Sequence, residues 1–150
     1  YVSFDIIIAK KFIMLIYQYK DGYCYNSDTI FLYDFALGFK PKGLLLDIGS
    51  GTGILGLLIA RDTKIKLHSL EIQEEYIFLS QKNAKINDIE SKVIHNNLLF
   101  LDENCKYDFI VSNPPFYHSD VIQSKNKRLN IARYNHNLPL IDFFKRSIVY

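Results

Sequence analysis

The chain has 150 residues, of which 49% are apolar and 23% charged, and its formal net charge is +2. A chain of this size forms one domain that buries about 70% of its unfolded-chain surface, and this composition excludes a disordered segment, while the charge alone is too small to announce nucleic acid. Its two cysteines, Cys24 and Cys105, form neither a C-x-x-C nor a zinc spacing, so no metal is expected and they read as buried or free thiols of a reducing cytosol.

In chain order, Ile6-Ile7-Ile8-Ala9 breaks at Lys10-Lys11 and resumes from Phe12 to Tyr17. That run is too short and too interrupted to span a bilayer, and no small-residue cleavage site follows a basic start, so neither membrane insertion nor export is expected. It reads as an amino-terminal strand, and Asp21-Gly22, flanked by Tyr17-Gln18-Tyr19-Lys20 and Tyr23-Cys24-Tyr25, predicts the tight turn of a β-hairpin. Asp28 is expected to cap a helix through Phe35-Ala36-Leu37 that Gly38 ends and Pro41 cannot continue. Leu44-Leu45-Leu46-Asp47-Ile48 is an apolar strand running into Gly49-Ser50-Gly51-Thr52-Gly53 and then a helical run over 54–60. The next strand, over 65–70, ends at Glu71, and a helix follows over about 73–87 with Ile72, Tyr76, Leu79 and Ile86 as its core stripe. Val93-Ile94-His95-Asn96-Asn97 and Asp108-Phe109-Ile110-Val111-Ser112 give two more strands, and Asn137-Leu138-Pro139-Leu140 opens a last helix through Phe144. This alternation predicts an α/β fold, a mostly parallel sheet with right-handed crossovers and helices on both faces. One domain is expected over 1–150, with the hairpin and first helix in 1–40 and a cofactor-binding and catalytic core in 41–150; no internal repeat or low-complexity linker appears.

The glycine turn separates itself from its look-alikes. A dinucleotide turn wants G-x-G-x-x-G, and a P-loop wants a following Gly-Lys-Ser/Thr; this chain has G-x-G-x-G with Asp47 just before the first glycine. A carboxylate there would repel phosphate. It suits a ligand whose near end carries a cationic amino group, as the methionine part of S-adenosylmethionine does. Glu71, an acid at the end of the next strand, could accept hydrogen bonds from both ribose hydroxyls. A tight strand-to-helix turn without a ligand, beside a surface glutamate, is the other way to read the same residues.

Asn113-Pro114-Pro115-Phe116 follows directly on a predicted buried strand, at the carboxyl end where open α/β sheets carry their chemistry. An exocyclic amine or a carboxamide is a poor nucleophile because its lone pair is delocalised. The Asn113 side-chain oxygen and the Pro114 carbonyl could accept its two N–H groups and aim that lone pair at a methyl donor. Pro114 and Pro115 fix φ and so hold the acceptors, Phe116 would stack on a flat substrate, and no tuned general base is needed because the proton leaves after the nitrogen has become cationic. Alone, the same residues could be a proline-rich loop with Phe116 in the core.

Together, Asp47-Ile48-Gly49-Ser50-Gly51-Thr52-Gly53 and Asn113-Pro114-Pro115-Phe116 resemble the cofactor and catalytic motifs of class I S-adenosylmethionine-dependent methyltransferases that modify amino groups of adenine, cytosine or glutamine. Gln18, Asp21-Gly22-Tyr23, Tyr25-Asn26-Ser27-Asp28, Ile30-Phe31-Leu32 and Ala132-Arg133 are similar to bacterial tRNA-Val adenine-N6 methyltransferases. The resemblance implies a Rossmann-like methyltransferase fold with a leading hairpin, S-adenosylmethionine held by Asp47, Gly49, Gly51, Gly53, Glu71 and Asn97, and catalysis at Asn113, Pro114, Pro115 and Phe116. It also implies a tRNA substrate met by Asp28, Tyr117, Lys127, Arg128 and Arg133, a cytoplasmic setting, and a monomer or weak homodimer. Two departures stand out: Asn97 replaces the usual acid after the third strand, where an amide can both accept and donate, and His136 stands where an acid often follows Ala-Arg and takes no role. Lys125, Lys127, Arg128 and Arg133 form either a phosphate-steering rim or a solvated loop.

Glutamine N5 in a protein such as a release factor fits the same catalytic motif, although that branch is expected to carry a helical amino-terminal domain. A non-catalytic cofactor- or RNA-binding module is the third possibility, and an oxidoreductase a distant fourth because of Asp47. Folds of this class usually have seven strands and this sequence supplies about four after the hairpin, so the last strands are expected to be missing, with an apolar sheet edge exposed.

Overall fold

The computed structural model describes residues 2–9, 12–101, 104–114 and 140–149. The chain opens with β1 (Val2–Ala9) and β2 (Phe12–Tyr19), continues with α1 (Ser27–Gly38), β3 (Leu44–Ile48), α2 (Ile54–Thr63), β4 (Lys66–Glu71), α3 (Glu74–Ile86) and β5 (Ser91–His95), and, after a 3-10 turn at Leu98–Phe100, closes with β6 (Phe109–Ser112) and α4 (Leu140–Ser147).

A four-stranded parallel sheet has the order β5-β4-β3-β6, with β3 central beside both β4 and β6. Side chains along these strands alternate between two apolar layers, as a pleat requires. Leu45, Leu67 and Val111 join the layer with α2, α1 and the hairpin, while Leu46, Ile48 and Leu70 join the one with Leu98, Leu101 and Phe143. Both faces of the sheet are thus covered, which is why its strands read as nearly continuous apolar runs.

The hairpin is real, but its turn is not at Asp21-Gly22. β1 pairs with β2 antiparallel from Val2↔Tyr19 to Ala9↔Phe12, leaving only Lys10 and Lys11 to connect them. Full pairing of two eight-residue strands outweighs the local turn preference of an Asp-Gly pair whose second arm would have been three residues long. Asp21-Gly22 instead ends β2: the Gly22 N–H donates to the Tyr19 carbonyl at 3.2 Å, and a Cβ on Gly22 would come within 2.5 Å of the Tyr76 hydroxyl.

Two further expectations shift by a residue or two. Asn26, in extended conformation, caps α1 by accepting from the Thr29 N–H at 3.3 Å, so Asp28 lies in the first turn, exposed, where its charge complements the helix dipole. In α3 the buried positions are Tyr76, Leu79, Ser80, Asn83 and Ala84, whereas Ile72 precedes the helix and is 45% exposed. Counted from Tyr76, residues i, i+3, i+4, i+7 and i+8 face the core; Ile72 keeps the spacing at i−4 but precedes the helix, which begins only at Glu74.

Asparagines on α3 dock the hairpin. The Asn87 carboxamide accepts from the Leu15 N–H at 2.9 Å and donates to the Leu15 carbonyl at 2.7 Å, and Asn83 pairs in the same way with Tyr17. Four residues along a helix rise about 6 Å and two along a strand about 6.6 Å, so side chains at i and i+4 can meet alternate backbone groups of a strand edge.

Candidate active site

The register Ile48↔Ser112 ends β3 and β6 level with one another, so Gly49 and Asn113 leave the sheet side by side. From β3 the chain turns sharply: the N–H groups of Gly49 and Ser50 both donate to the Leu70 carbonyl, at 2.9 and 3.0 Å, and Gly49, Gly51 and Gly53 have φ of 66°, 54° and 83°. These left-handed conformations strain any residue with a Cβ. The three glycines nevertheless serve different ends. A Cβ on Gly49 or Gly51 would meet nothing within 4 Å, whereas one on Gly53 would lie 2.7 Å from the Ser80 hydroxyl. Gly53 therefore lets α2 start against α3, while the other two leave open space above the turn.

Asp47 is buried, and its Oδ2 accepts the Gly56 N–H at 2.9 Å. Loss of water pushes its carboxyl up to about 7, with Glu71 adding to the rise and the Gly56 N–H opposing it. Gly56, which the sequence reading passed over, is needed here: a Cβ on it would fall 2.9 Å from the Asp47 carboxylate and 2.7 Å from Leu67. Glu71 lies behind the turn and braces it, accepting from Gly51 through Oε2 and from Ile72 and Gln73 through Oε1, each at 2.8 Å. Burial raises its carboxyl, and those three N–H groups and His95 counter the rise.

A small solvent-connected cleft opens over this turn, lined by Gly49, Ser50, Gly51, Thr52, Ile54 and Leu55 below and by Tyr23, Tyr25 and Thr29 opposite, with Asp47 and Asn113 also at its wall. Ser50 Oγ is buried without a hydrogen-bond partner among the described residues, an orphaned polar atom on the wall of an open cleft. Sequence reasoning missed Ser50, Tyr25 and Thr29 as site residues; the one available signal was the position of Ser50 inside the glycine turn. Tyr23 and Tyr25 entered that reading only as flanks of the expected turn and within short resemblance motifs.

Asp47, Gly49, Gly51 and Asn113 thus come together, while Gly53, Glu71, Asn97 and Asp28 are not part of the cleft wall. The Asn97 Oδ1 caps the 3-10 turn by accepting the Leu99 N–H at 2.9 Å. Pro114 is half-buried beside Asn113. Pro115, Phe116, Tyr117, Lys125, Lys127, Arg128, Arg133 and His136 lie outside the described residues. Among the described residues, no group of three or more His, Cys, Asp or Glu could hold a metal ion, and no helix is long and apolar enough to cross a membrane.

A tRNA1(Val) (adenine(37)-N6)-methyltransferase of Parabacteroides distasonis is 31% identical over 107 residues, 69% of this chain and 45% of that protein. The enzyme of that description from Flavobacterium johnsoniae is 32% identical over 127 residues, 81% of this chain and 54% of the relative. A release factor glutamine methyltransferase of Flavobacterium psychrophilum is 29% identical over 98 residues, 64% of this chain and 34% of that protein. The chain therefore spans about half the length, or less, of the curated relatives it matches. In fold it is similar to the T. thermophilus 16S rRNA N2 G1207 methyltransferase, solved with AdoMet and guanosine, with a TM-score of 0.69 at 20% identity over 87% of this chain and 36% of that one. Residues 29–133, which run from the first helix through the glycine turn and past Asn113, match the methyltransferase small domain, and the chain belongs to that family.

Proposed function

We propose that this protein transfers a methyl group from S-adenosylmethionine to an exocyclic amino nitrogen, with adenine N6 of a tRNA as the acceptor. The observation that carries the reading is the adjacency of Asn113 to the glycine turn, on the wall of one cleft with Asp47. The cofactor supplies an electrophilic methyl group on a sulfonium. The residues present fit it: open space above Gly49 and Gly51 leaves room for its chain, and the orphaned Ser50 hydroxyl offers a hydrogen bond.

Asp47 faces the amino group of the methionine part, and Glu71 receives the ribose hydroxyls with the carboxylate capacity its three backbone donors leave. Asn97 offers its amide nitrogen to the adenine, and Gly53 contributes by shaping the turn. On the substrate side, Asn113 Oδ1 and the Pro114 carbonyl accept the two amine hydrogens, so the lone pair points toward the methyl carbon. Pro115 and Phe116 complete this rim, with Phe116 stacking on an unpaired loop base. Asp28, Tyr117, Lys127, Arg128 and Arg133 contact the RNA around it.

Support for RNA comes from the relatives described as tRNA1(Val) (adenine(37)-N6)-methyltransferases, among them those of Parabacteroides distasonis and Flavobacterium johnsoniae. The similarity to release factor glutamine methyltransferases favours glutamine N5 as the second reading, since a carboxamide nitrogen meets the same acceptors. Incubating the protein with radiolabelled S-adenosylmethionine and either total bacterial tRNA or a release factor separates them. Label in N6-methyladenosine of tRNA is the expected result; label in glutamine alone would replace it with the second reading, and no label in either would overturn both.

A further inference from the structure

We infer that Tyr23 is a positioning residue for the transfer, restraining the Asn113 carboxamide on the cleft wall where the substrate amine would meet it; this rests on the function proposed above. Asn113 Nδ2 donates to the Tyr23 hydroxyl oxygen at 3.3 Å, although the two residues are 90 positions apart, and both line the cleft. Tyr23 is itself anchored, because its backbone N–H donates to the Tyr76 hydroxyl at 2.8 Å and Tyr76 is buried in α3. Gly22 allows that approach, since a Cβ there would collide with the Tyr76 hydroxyl.

A carboxamide has two ends of nearly equal size and opposite hydrogen-bonding sense. Only the oxygen can accept an N–H of the acceptor amine; a flipped Asn113 would set its own NH₂ against the amine and leave the lone pair undirected. A phenol hydroxyl both donates and accepts, so Tyr23 restrains the carboxamide without selecting its end; in the arrangement seen here Nδ2 donates to it and Oδ1 is left for the substrate. The segment between hairpin and α1 thereby sets the chemistry of a loop that follows β6. Acting through Asn113, Tyr23 should affect transfer more than binding, so its loss should slow the one more than it weakens the other.

The test is Tyr23→Phe in the full protein, assayed by single-turnover transfer from radiolabelled S-adenosylmethionine to total tRNA, with cofactor affinity measured by calorimetry. Transfer should fall about tenfold, the scale of one lost hydrogen bond, while cofactor affinity and KM for tRNA stay within about twofold. An Asn113→Ala background sharpens this: with no carboxamide left to restrain, Tyr23→Phe should then cost less than about twofold. Equal losses in both backgrounds, or a fall in cofactor affinity matching the fall in rate, would overturn the assignment. A readout independent of turnover is the side-chain amide NMR signal of Asn113, which should shift and broaden in Tyr23→Phe; an unmoved signal would overturn it as well. If wild-type protein labels nothing, the function proposed above fails, while the amide signal still decides the contact.

Discussion

Asn83, fully buried on α3, grips Tyr17 of β2 with both ends of its carboxamide: Oδ1 accepts the Tyr17 N–H at 2.7 Å and Nδ2 donates to the Tyr17 carbonyl at 2.9 Å. The same Nδ2 donates to the carbonyl of Thr52 in the glycine turn, also at 2.9 Å. One side chain therefore joins the hairpin, the helix and the floor of the cleft.

Asn83→Ala should destabilise the fold by about 3 kcal/mol, because buried backbone groups on β2 and on the turn lose their partners at about 1–3 kcal/mol each with partial relaxation. Asn83→Asp should cost more, since it turns an acceptor toward two carbonyls. Urea unfolding measures both, and near-equal stability of Asn83→Ala and wild type would show that the hairpin does not depend on this contact.

The glycines should divide by function. Gly53→Ala combines a left-handed backbone with a contact 2.7 Å from Ser80, and should lower stability by about 2 kcal/mol. Gly49→Ala meets only open space, so it should cost less stability and more affinity, since its methyl group enters the cleft. Thermal unfolding and cofactor titration on the pair would expose a failure if Gly49→Ala proved the less stable of the two.

Asp47 should make cofactor binding depend on pH. Its carboxyl, pushed up to about 7 from an ordinary 3.8, holds a proton in the folded protein that the unfolded chain has already released. Stability of the free protein should accordingly fall as pH rises between those two values. A bound ammonium group favours the carboxylate, so affinity should rise from about pH 6 to about pH 7.5, below the titration of the ligand's own α-amino group at roughly 8. Calorimetry in buffers of different ionisation enthalpy should detect proton release on binding, and Asp47→Asn should abolish both it and the pH slope; a slope that persists in Asp47→Asn would assign it elsewhere.

Asn113→Ala should reduce methyl transfer by about a hundredfold or more while leaving cofactor affinity within about twofold, as expected of a group that acts in the transition state. Parallel loss of rate and affinity would make Asn113 a structural part of the cleft wall.

The sequence by itself determined the parallel sheet, the glycine turn at the end of β3 and the place of Asn113 at the end of β6. Each is encoded within a few consecutive residues, through apolar runs, glycines and prolines whose local conformations are restricted. What it left to the tertiary structure were choices between competing local signals and meetings of distant residues. Asp21-Gly22 was the better turn sequence, yet pairing along β1 and β2 left it after the second strand of the hairpin. Asn26 and Asp28 are both good caps, and the extended backbone of Asn26 decided between them. That Tyr23 reaches Asn113, that Asn83 and Asn87 read the edge of β2, and that Asp47 is buried enough to keep a proton near neutral pH all depend on how the segments pack. Local periodicity specifies which face of a segment is buried; packing in three dimensions decides what that face meets.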